Sequence, residues 1–335
     1  MSKLYVPKDY VSKLSVRDTQ RAIKFIKDTF QINLANELQL DRVTAPIIVT
    51  KESGINDDLN GVERKVSFTM KEIEGEGEVV QSLAKWKRKA LHDFGYVAGE
   101  GIYTDMNAIR RDDDVDNIHS IFVDQWDWEK IITREQRTTD YLCKVVRGIV
   151  KILAYTKQIV KDKYPVLQYD ICPDVFFITS QELEDMYPDM TAKERENEIT
   201  RKYRSVFIMQ IGDVLRSGKR HDGRAPDYDD WSLNGDLLIW NDVLESALEV
   251  SSMGIRVDSA SLLSQLEKAD ALDRKKFEYH SSIINDVYPL TIGGGIGQSR
   301  ICMLILEKAH IGEVHSSIWP NQLREECKSV GINLL

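Results

Sequence analysis

The sequence comprises 335 residues, of which 42% are hydrophobic and 30% are charged, and its 45 basic and 54 acidic residues give a formal net charge of −9. This composition is typical of a globular protein with ample material for a core, and the negative charge argues against nucleic-acid binding, which needs clustered cations. No apolar run is long enough to span a bilayer, and the opening MSKLYVPKDY lacks the apolar core of a signal peptide. We therefore expect a cytoplasmic protein without membrane or nucleic-acid partners.

The N-terminal region combines a long helix with a proline-containing strand. Apolar residues recur at helical spacing from Val16 to Leu38, which predicts an amphipathic helix. In the following LDRVTAPIIV, apolar residues alternate around Pro46. Because proline cannot donate to a central ladder, we expect this strand at a sheet edge or a subunit boundary, unless the proline simply ends a surface strand.

A polar loop, a hairpin and a basic run come next. The loop ESGINDDLNG contains Asp57, and two strands predicted at 66–70 and 78–83 form an antiparallel hairpin. The run SLAKWKRKALHDFG follows, in which Lys85 and Lys87 share one side if the segment is extended. A basic run in an acidic protein indicates an anionic substrate, although a solvated charged face is the common explanation of such runs.

The segment HSIFVDQWDWE, residues 119–129, has the composition of a strand with one unusual face. Side chains alternate along a strand, so Gln125, Asp127 and Glu129 share one face while two tryptophans lie on the other. Charged groups on such a strand are costly to bury unless they are paired or bound to a ligand. We therefore expect this strand to face a substrate.

The middle of the chain, Thr133 to Lys219, is interpreted as scaffold. It contains a second amphipathic helix at 138–163, short strands at 175–178 and 206–211, and a helix that begins at a capping box and runs to Tyr203. None of these elements requires a ligand.

An acidic segment follows the scaffold. HDGRAPDYDDWSLNGD holds five aspartates, including Asp229 and Asp236, and is predicted to be a loop before strands at 237–240 and 248–250. Glu249 belongs to the second of these strands. Carboxylates suit Mg²⁺, which takes one or two from protein and its other ligands from phosphate and water. A flexible acidic loop without a metal is the alternative.

The stretch YPLTIGGGIGQSRICMLILEK, which begins at Tyr288, predicts a strand ending at Ile292, a glycine turn and a buried helix. Gln298 replaces the glycine that a dinucleotide fingerprint needs, and the GxxxxGK[ST] loop is absent from the sequence. Arg300 falls in the first helical turn, where the macrodipole disfavours a cation. It therefore contacts either an anionic or aromatic ligand or a structural carboxylate.

Hairpins and long helices without regular βαβ alternation predict an α+β fold with a mainly antiparallel sheet flanked by helices, and one catalytic domain covering residues 1–335. Three segments resemble the signatures of class II aminoacyl-tRNA synthetase catalytic domains, namely those containing Pro46, Arg110 and Arg300. Within that superfamily the chain resembles ammonia-dependent asparagine synthetases, through SLAKWKR, AGEGIYT, VDQWDWE, RAPDYDDW, NGDLLIWN, SSMGIRVD and TIGGGIGQSR.

The resemblance implies a homodimer, formed through the N-terminal helix and the Pro46 strand, that amidates L-aspartate with ammonia and ATP through β-aspartyl-AMP. It implies a substrate site comprising Asp57, Ser82, Lys85, Lys87, Gln125, Asp127, Ser252 and Arg256. For ATP, the resemblance implies that Arg110 holds the α-phosphate, that Arg300 lies against the adenine or the phosphates, and that Ser120 contacts the nucleotide. It implies that Asp236 and Glu249 bind the nucleotide and Mg²⁺. It assigns catalysis to Arg110, Lys87, Asp57, Gln125 and Asp229, with Asp229 attracting or deprotonating ammonium.

Two other functions remain open at this point. An aspartyl- or asparaginyl-tRNA synthetase would use the same catalytic signatures, but it carries an added anticodon-binding barrel for which this chain has little length left. A non-catalytic sensor of amino acid or nucleotide would have lost the signature arginines or the acidic pair, yet Arg110, Arg300, Asp236 and Glu249 are all present.

Overall fold

The computed structural model describes residues 4–59 and 63–335. Its strands are β1 Leu40–Arg42, β2 Ile48–Thr50, β3 Ser67–Thr69, β4 Glu76–Val79, β5 Gly101–Ile109, β6 Phe122–Ile131, β7 Phe176–Thr179, β8 Ser205–Met209, β9 Asp229–Asn241, β10 Ser246–Arg256 and β11 Thr291–Gly297. Its α-helices are α1 Val16–Leu38, α2 Ala84–Asp93, α3 Thr139–Lys163, α4 Ser180–Met186, α5 Ala192–Tyr203, α6 Ser259–Lys268, α7 Glu278–Ile284, α8 Gln298–Ile305 and α9 Asn321–Ser329. Short 3-10 helices cover Lys51–Ser53, Leu272–Lys276 and Ile311–Glu313.

An eight-stranded sheet in the order β1-β5-β6-β11-β10-β9-β8-β7 carries most of the fold, and a small sheet β2-β4-β3 lies apart from it. The strand pairs at the two ends of the large sheet, β1 with β5 and β7 with β8, are parallel, whereas the pairs between them are antiparallel. This architecture confirms the predicted α+β fold with a mainly antiparallel sheet flanked by helices.

Helices α1 and α3 pack against each other and close the main core over one face of the large sheet. Ser15 caps α1 by accepting a hydrogen bond from the Asp18 amide, and Phe30 in its buried stripe lies with its ring 4.6 Å from the ring of Trp126. Trp126 and Trp128 are fully buried on this face of β6. Burial of such large apolar side chains is the main favourable contribution to folding.

The alternation of β6 leaves the opposite face of the sheet for polar groups. Gln125 and Asp127 border a cavity on that face, while the tryptophans between them point into the core. The prediction that this strand separates a polar face from an apolar face is therefore confirmed.

Several sequence-based element predictions were wrong in detail. Pro46 lies outside any strand, because the predicted strand is divided into β1 and β2, which are edge strands of two different sheets. SLAKWKR forms the start of α2 instead of an extended segment. Lys85 and Lys87 therefore project roughly 200° apart around the helix axis and contact different partners.

Two glycine- or aspartate-rich stretches form strands where a turn and a loop were predicted. Residues 293–297 belong to β11 and pair with β6 on one side, and residues 293–296 also pair with β10 on the other. Residues 229–236 begin β9, in which Asp236 lies opposite both Ile208 and Ser252. Hydrogen bonding to two neighbouring strands outweighs the turn preference of these residues.

The remaining expectations concern local elements. The hairpin of β3 and β4 and the capping box of Thr191 with Glu194 are confirmed, although β4 ends at Val79. The polar loop is confirmed through Leu59 apart from its first residues, which form a 3-10 turn, and Asn60 and Gly61 lie outside the described residues. Among the helices that the structure describes, none combines the length and apolarity needed to cross a membrane.

Candidate active site

A cavity of about 580 Å³ opens on the polar face of the large sheet. Its wall includes eleven of the fourteen predicted site residues, which are Asp57, Ser82, Arg110, Ser120, Gln125, Asp127, Asp229, Glu249, Ser252, Arg256 and Arg300. The other three, Lys85, Lys87 and Asp236, are buried and contact residues or segments that form the wall. The tertiary structure thus brings together residues that are up to 243 positions apart in the chain.

The floor of this cavity depends on the glycines of β11. A Cβ atom on Gly293 would overlap the carboxylate of Glu129, and one on Gly295 would overlap the amide of Gln125. Both glycines therefore let side chains of the neighbouring strand lie across the backbone of β11. These positions therefore need glycine because it leaves space beside a central strand, whereas the sequence suggested that the glycines form a turn.

Arg256 organises a buried ionic network at the end of β10. Its guanidinium donates to both carboxylate oxygens of Glu129, at 3.0 Å from Nε to Oε1 and 2.8 Å from Nη2 to Oε2, and Nη1 donates to Asp229. Burial acts to raise the pKa of Glu129, but the cations Arg256 and Lys87 outweigh it and hold that pKa below its usual value. Burial raises the pKa of Asp229 despite the opposing effect of Arg256. The same network therefore shifts the pKa values of these two carboxylates in opposite directions.

Lys87 lies beneath the floor, where its ammonium donates to Asp127 and to the Trp128 carbonyl oxygen at 2.9 Å. The second oxygen of Asp127 accepts from the Leu83 amide at 3.3 Å. Asp127 therefore reaches the cavity as a carboxylate whose position is set from behind by α2. Lys87 itself contacts protein groups, which differs from the sequence-based expectation that it contacts substrate.

The loop that carries Asp57 is held in place by short polar contacts. Ser82 Oγ donates to Asp57 Oδ2 at 2.7 Å, and the Leu59 amide donates to Oδ1 at 3.0 Å. Lys85 Nζ donates to the Gly54 carbonyl oxygen at 2.8 Å and lies 3.8 Å from Asp227. Burial lowers the pKa of Lys85, although Asp227 opposes this effect. Lys85 therefore supports the loop from beneath.

The two signature arginines border the cavity on another side. Arg110 Nη2 donates to the Gln81 carbonyl oxygen over a long 3.4 Å. Arg300 Nη1 donates to the Glu249 carbonyl oxygen at 2.9 Å and lies 3.9 Å from its carboxylate, which is 40% exposed. Arg300 thus contacts a carboxylate of the cavity wall, as one of the two interpretations made from the sequence expected, whereas its contact with a ligand stays a prediction.

Residues 17–331 match the family model described as aspartate–ammonia ligase. The chain belongs to the aspartate–ammonia ligase family. It is 56% identical over 334 residues to the aspartate–ammonia ligase of Ligilactobacillus salivarius, with 99% of each chain covered, and 58% identical over 325 residues to that of Bacillus cytotoxicus, with 97% of this chain and 99% of the relative covered. The family predicted from the sequence is confirmed.

Solved structures with the same fold include class II synthetases. The asparaginyl-tRNA synthetase of Entamoeba histolytica, in complex with asparaginyl-adenylate, superposes with a TM-score of 0.66 at 13% identity, covering 90% of this chain and 66% of that one. The enzyme of Pyrococcus horikoshii, complexed with the same adenylate, gives a TM-score of 0.64 at 16% identity, covering 90% and 70%. At these identities the similarity establishes the shared fold, and it confirms the predicted fold class of this ligase.

Several residues in the cavity wall of the ligase were not predicted from the sequence, among them Phe122, His315 and Arg224. Phe122 and His315 stack with ring centroids 4.6 Å apart and 23° between their planes. His315 lies beyond the last predicted motif, so only the tertiary structure reveals its position. Arg224 was visible in the sequence as the one arginine within the acidic segment, a signal that could have been used.

Asp236 lies in β9 behind Arg224, whose Nη2 donates to Asp236 Oδ2. The other carboxylate oxygen, Oδ1, is buried without a hydrogen-bond partner among the described residues. Burial raises the pKa of Asp236 to about 7, with Glu249 and Asp222 adding to the effect and Arg224 opposing it. The positive charge of Arg224 is therefore too small to offset the effects of burial and of the two neighbouring carboxylates on Asp236.

The cavity wall of the ligase is acidic overall. Within 4–59 and 63–335, ten aspartates and glutamates but only four arginines line it. In the same part of the chain, no cluster of three or more histidine, cysteine or acidic side chains could hold a metal ion by itself. An anionic nucleotide could enter such a cavity only with added cations, and a divalent ion shared between one or two carboxylates and phosphate fits this donor set.

Proposed function

We propose that this member of the family makes L-asparagine, AMP and pyrophosphate from L-aspartate, ammonia and ATP. In the first step, a side-chain carboxylate oxygen of aspartate attacks the α-phosphorus, and the bond to pyrophosphate breaks. In the second step, ammonia attacks the acyl carbon of β-aspartyl-AMP, loses a proton and expels AMP. The observation that carries the proposal is family membership combined with one cavity whose wall includes the predicted carboxylate, amide and arginine groups.

The aspartate subsite is proposed to lie on the β6 side of the cavity. There Asp57, Gln125 and Asp127 suit the α-ammonium group of the substrate, and Arg256 and Ser252 suit its carboxylates. Arg256 is bound to Glu129 and Asp229, so its contribution is a preorganised positive charge. Ser82, Lys85 and Lys87 are proposed to hold the binding groups in position, because each contacts a loop or carboxylate of this subsite.

The nucleotide subsite is proposed to lie around Arg110 and Arg300. Arg110 suits the α-phosphate because its buried Nε has no partner within the described residues, and Arg300 suits the adenine or the phosphates. Ser120 is proposed to contact the nucleotide; its hydroxyl also bonds to Ser317 at 2.6 Å. Catalysis then rests on positioning and on cations that stabilise the phosphoryl transfer.

Magnesium is proposed to bind between the nucleotide and two carboxylates, Asp236 and Glu249. The fit is supported by the unpartnered Oδ1 of Asp236 and by the excess of carboxylates in the wall. When bound, the ion would neutralise phosphate charge that the four wall arginines do not balance. The protein's own part is to supply oxygen ligands next to the phosphate subsite.

Asp229 is proposed to serve the second step. Its raised pKa, caused by burial, makes it a better proton acceptor than an exposed aspartate, and its negative charge favours entry of ammonium. A carboxylate here could accept the proton that the attacking ammonia loses. Arg256 moderates this basicity through its contact with Asp229.

A cytoplasmic homodimer with one catalytic domain is part of the proposal. The exposed apolar side chains of Ile32 on α1 and of Ile47 and Ile48 beside Pro46, which are 57%, 60% and 43% exposed, support an interface through the N-terminal helix and this segment. Sedimentation analysis should give twice the 38.5 kDa chain mass, and Ile47→Glu should shift it toward the monomer. A wild-type protein that sediments as a monomer would contradict this part.

The experiment that tests the function follows AMP formation with aspartate, ATP and Mg²⁺, adding ammonium, glutamine or tRNA in turn. We expect AMP and asparagine in equal amounts only with ammonium. Product with glutamine alone, charging of tRNA, or an absence of AMP formation in every mixture would each contradict the proposal.

A further inference from the structure

Arg224 lies between the cavity and Asp236. Its side chain is 13% exposed and forms part of the wall, whereas Asp236 is 9% exposed and lies behind it. Nη2 donates to Asp236, and Nη1 donates to the Gly223 carbonyl oxygen at 2.8 Å and to Asp222 at 3.1 Å. A ligand that enters from the cavity therefore meets the guanidinium before it meets the carboxylate.

The position of Arg224 is one that a divalent cation would favour. Its guanidinium donates to two carboxylates, Asp222 and Asp236, and Glu249 belongs to the same cavity wall. The Nε of Arg224 and Oδ1 of Asp236 are buried without partners in the described part of the chain. Arg224 and Arg300, which lies 3.9 Å from the Glu249 carboxylate, thus bring two positive charges to three carboxylates, with one hydrogen-bond donor and one acceptor unused.

The other arginines of the cavity wall have other partners or other proposed roles. Arg256 is bound to two buried carboxylates, Arg110 is proposed to contact the α-phosphate, and Arg300 is proposed to contact the adenine or the phosphates. Arg224 belongs to an irregular segment, residues 221–228, between the bridge at Arg220 and the start of β9. Among the arginines that line the described wall, it is therefore the one that has no role yet in the proposed reaction.

We propose that Arg224 is a further catalytic residue with two positions. In the free protein its guanidinium occupies the cation position beside Asp236 and Glu249. When the nucleotide enters with its divalent ion, the ion takes that position and the guanidinium moves to the β- and γ-phosphate oxygens, where it stabilises the charge that develops on the departing pyrophosphate. This inference rests on the proposed ATP-dependent function.

The first test measures metal binding to the free protein. Mn²⁺ binding, followed by electron paramagnetic resonance without nucleotide, should become at least about tenfold tighter in Arg224→Gln, because the competing guanidinium is gone. Arg220→Gln is the matched control, since Arg220 lies over the Trp231 ring at 5.3 Å, and it should bind Mn²⁺ as the wild type does. Unchanged or weaker binding in Arg224→Gln would overturn the displacement.

The second test measures nucleotide binding by calorimetry. Arg224→Gln should bind ATP and pyrophosphate about 10- to 100-fold more weakly while binding AMP as the wild type does, because AMP lacks the two outer phosphates. Equal weakening of AMP, or unchanged ATP binding, would overturn the inference. If the glutamine variant fails to fold, Arg224→Lys retains a positive charge beside Asp236 but loses the planar guanidinium. It should bind ATP and pyrophosphate more weakly than the wild type while binding AMP equally well, and unchanged ATP binding would overturn the inference.

Failure of this inference differs from failure of the proposed function. Wild-type protein that forms asparagine, with ATP binding unchanged in Arg224→Gln, would reject the role of Arg224 alone. Wild-type protein that forms no asparagine would reject the proposed reaction and, with it, the role of Arg224 at the departing pyrophosphate. The Mn²⁺ measurement would still show whether a divalent ion displaces the Arg224 guanidinium.

Discussion

The ammonium of Lys87 and the carboxylate of Asp127 form an ion pair beneath the cavity floor, with only 1% and 4% of their side chains exposed. Glu129 lies 3.7 Å from the same ammonium and is fully buried. Lys87 is thus the cation that compensates two carboxylates from below. Because Lys87 is buried, we expect it to position Asp127 and not to contact substrate. Its replacement should therefore reduce the stability of the fold.

Replacing Lys87 by methionine should destabilise the fold by about 3–5 kcal/mol, because two buried carboxylates lose a compensating charge. Urea unfolding monitored by tryptophan fluorescence would measure the change. Lys89→Met on the same helix is the matched control: Lys89 is 33% exposed, pairs with Asp93 and Glu278, and should cost no more than about 1 kcal/mol. A Lys87→Met protein as stable as the control would contradict the compensating role.

Replacing Arg110 by glutamine should affect chemistry far more than stability. Loss of a charged donor at the proposed α-phosphate position should lower aspartate-dependent pyrophosphate exchange by about 100- to 1,000-fold. The unfolding free energy should change by no more than about 1 kcal/mol, since the hydrogen bond of Arg110 to Gln81 is long. Arg111→Gln, at the exposed neighbouring position, should retain exchange. Normal exchange in the Arg110 variant would remove this residue from the mechanism.

Adjacent glycines of β11 should respond differently to alanine. Gly294 faces the core, where a Cβ would overlap Met253 and come 2.8 Å from the Ser252 carbonyl oxygen, so Gly294→Ala should cost about 1–3 kcal/mol of stability. Gly295 faces the cavity, and a Cβ there displaces the end of the Gln125 side chain. Gly295→Ala should therefore raise KM for aspartate with a smaller loss of stability.

Denaturation and steady-state kinetics of both glycine variants would measure this contrast. The opposite pattern, with Gly295→Ala the less stable protein and Gly294→Ala the one with an altered KM, would contradict the assignment of the two faces of β11.

Asp227 should make stability depend on pH. Burial acts to raise its pKa, but the hydrogen bond from His280 and the charges of Lys85 and Arg274 outweigh it and lower the pKa from 3.8 to about 2. A lowered carboxylate pKa stabilises the fold above the unfolded-state value, and that contribution is lost as pH falls through the folded-state value. The free energy of unfolding of the wild type should therefore exceed that of Asp227→Asn by a margin that is about 2 kcal/mol larger at pH 5 than at pH 2.

Urea unfolding of both proteins across this pH range would measure the difference. Asp112→Asn is the control: Arg64 lowers the pKa of Asp112 to about 2 as well, but this pair lies at the surface, where solvent screens it. We expect a smaller pH effect there. A constant difference between wild type and Asp227→Asn would show that the ion pairs of Asp227 do not couple folding to protonation.

Local patterns in the sequence predicted those helices and strands whose conformation is specified by their own residues. The periodicity of α1, the apolar stripe of α3, the capping box of α5, and the alternation in β6 that separates Gln125 and Asp127 from the tryptophans are examples. The family was also evident from the sequence, because its motifs combine several uncommon residues at fixed spacing. Long amphipathic segments specify structure through their own periodicity and capping, so they could be predicted without knowing their neighbours.

The tertiary structure decided what depends on partners far away in the chain. The glycines of β11 and the aspartates of β9 suggest turns by composition, yet both stretches form central strands because neighbouring strands supply their hydrogen bonds. Spacing could not reveal that Lys87 is buried against Asp127 or that Arg224 covers Asp236. Ion pairing and burial depend on three-dimensional distance and local dielectric, which a linear pattern of residues does not contain.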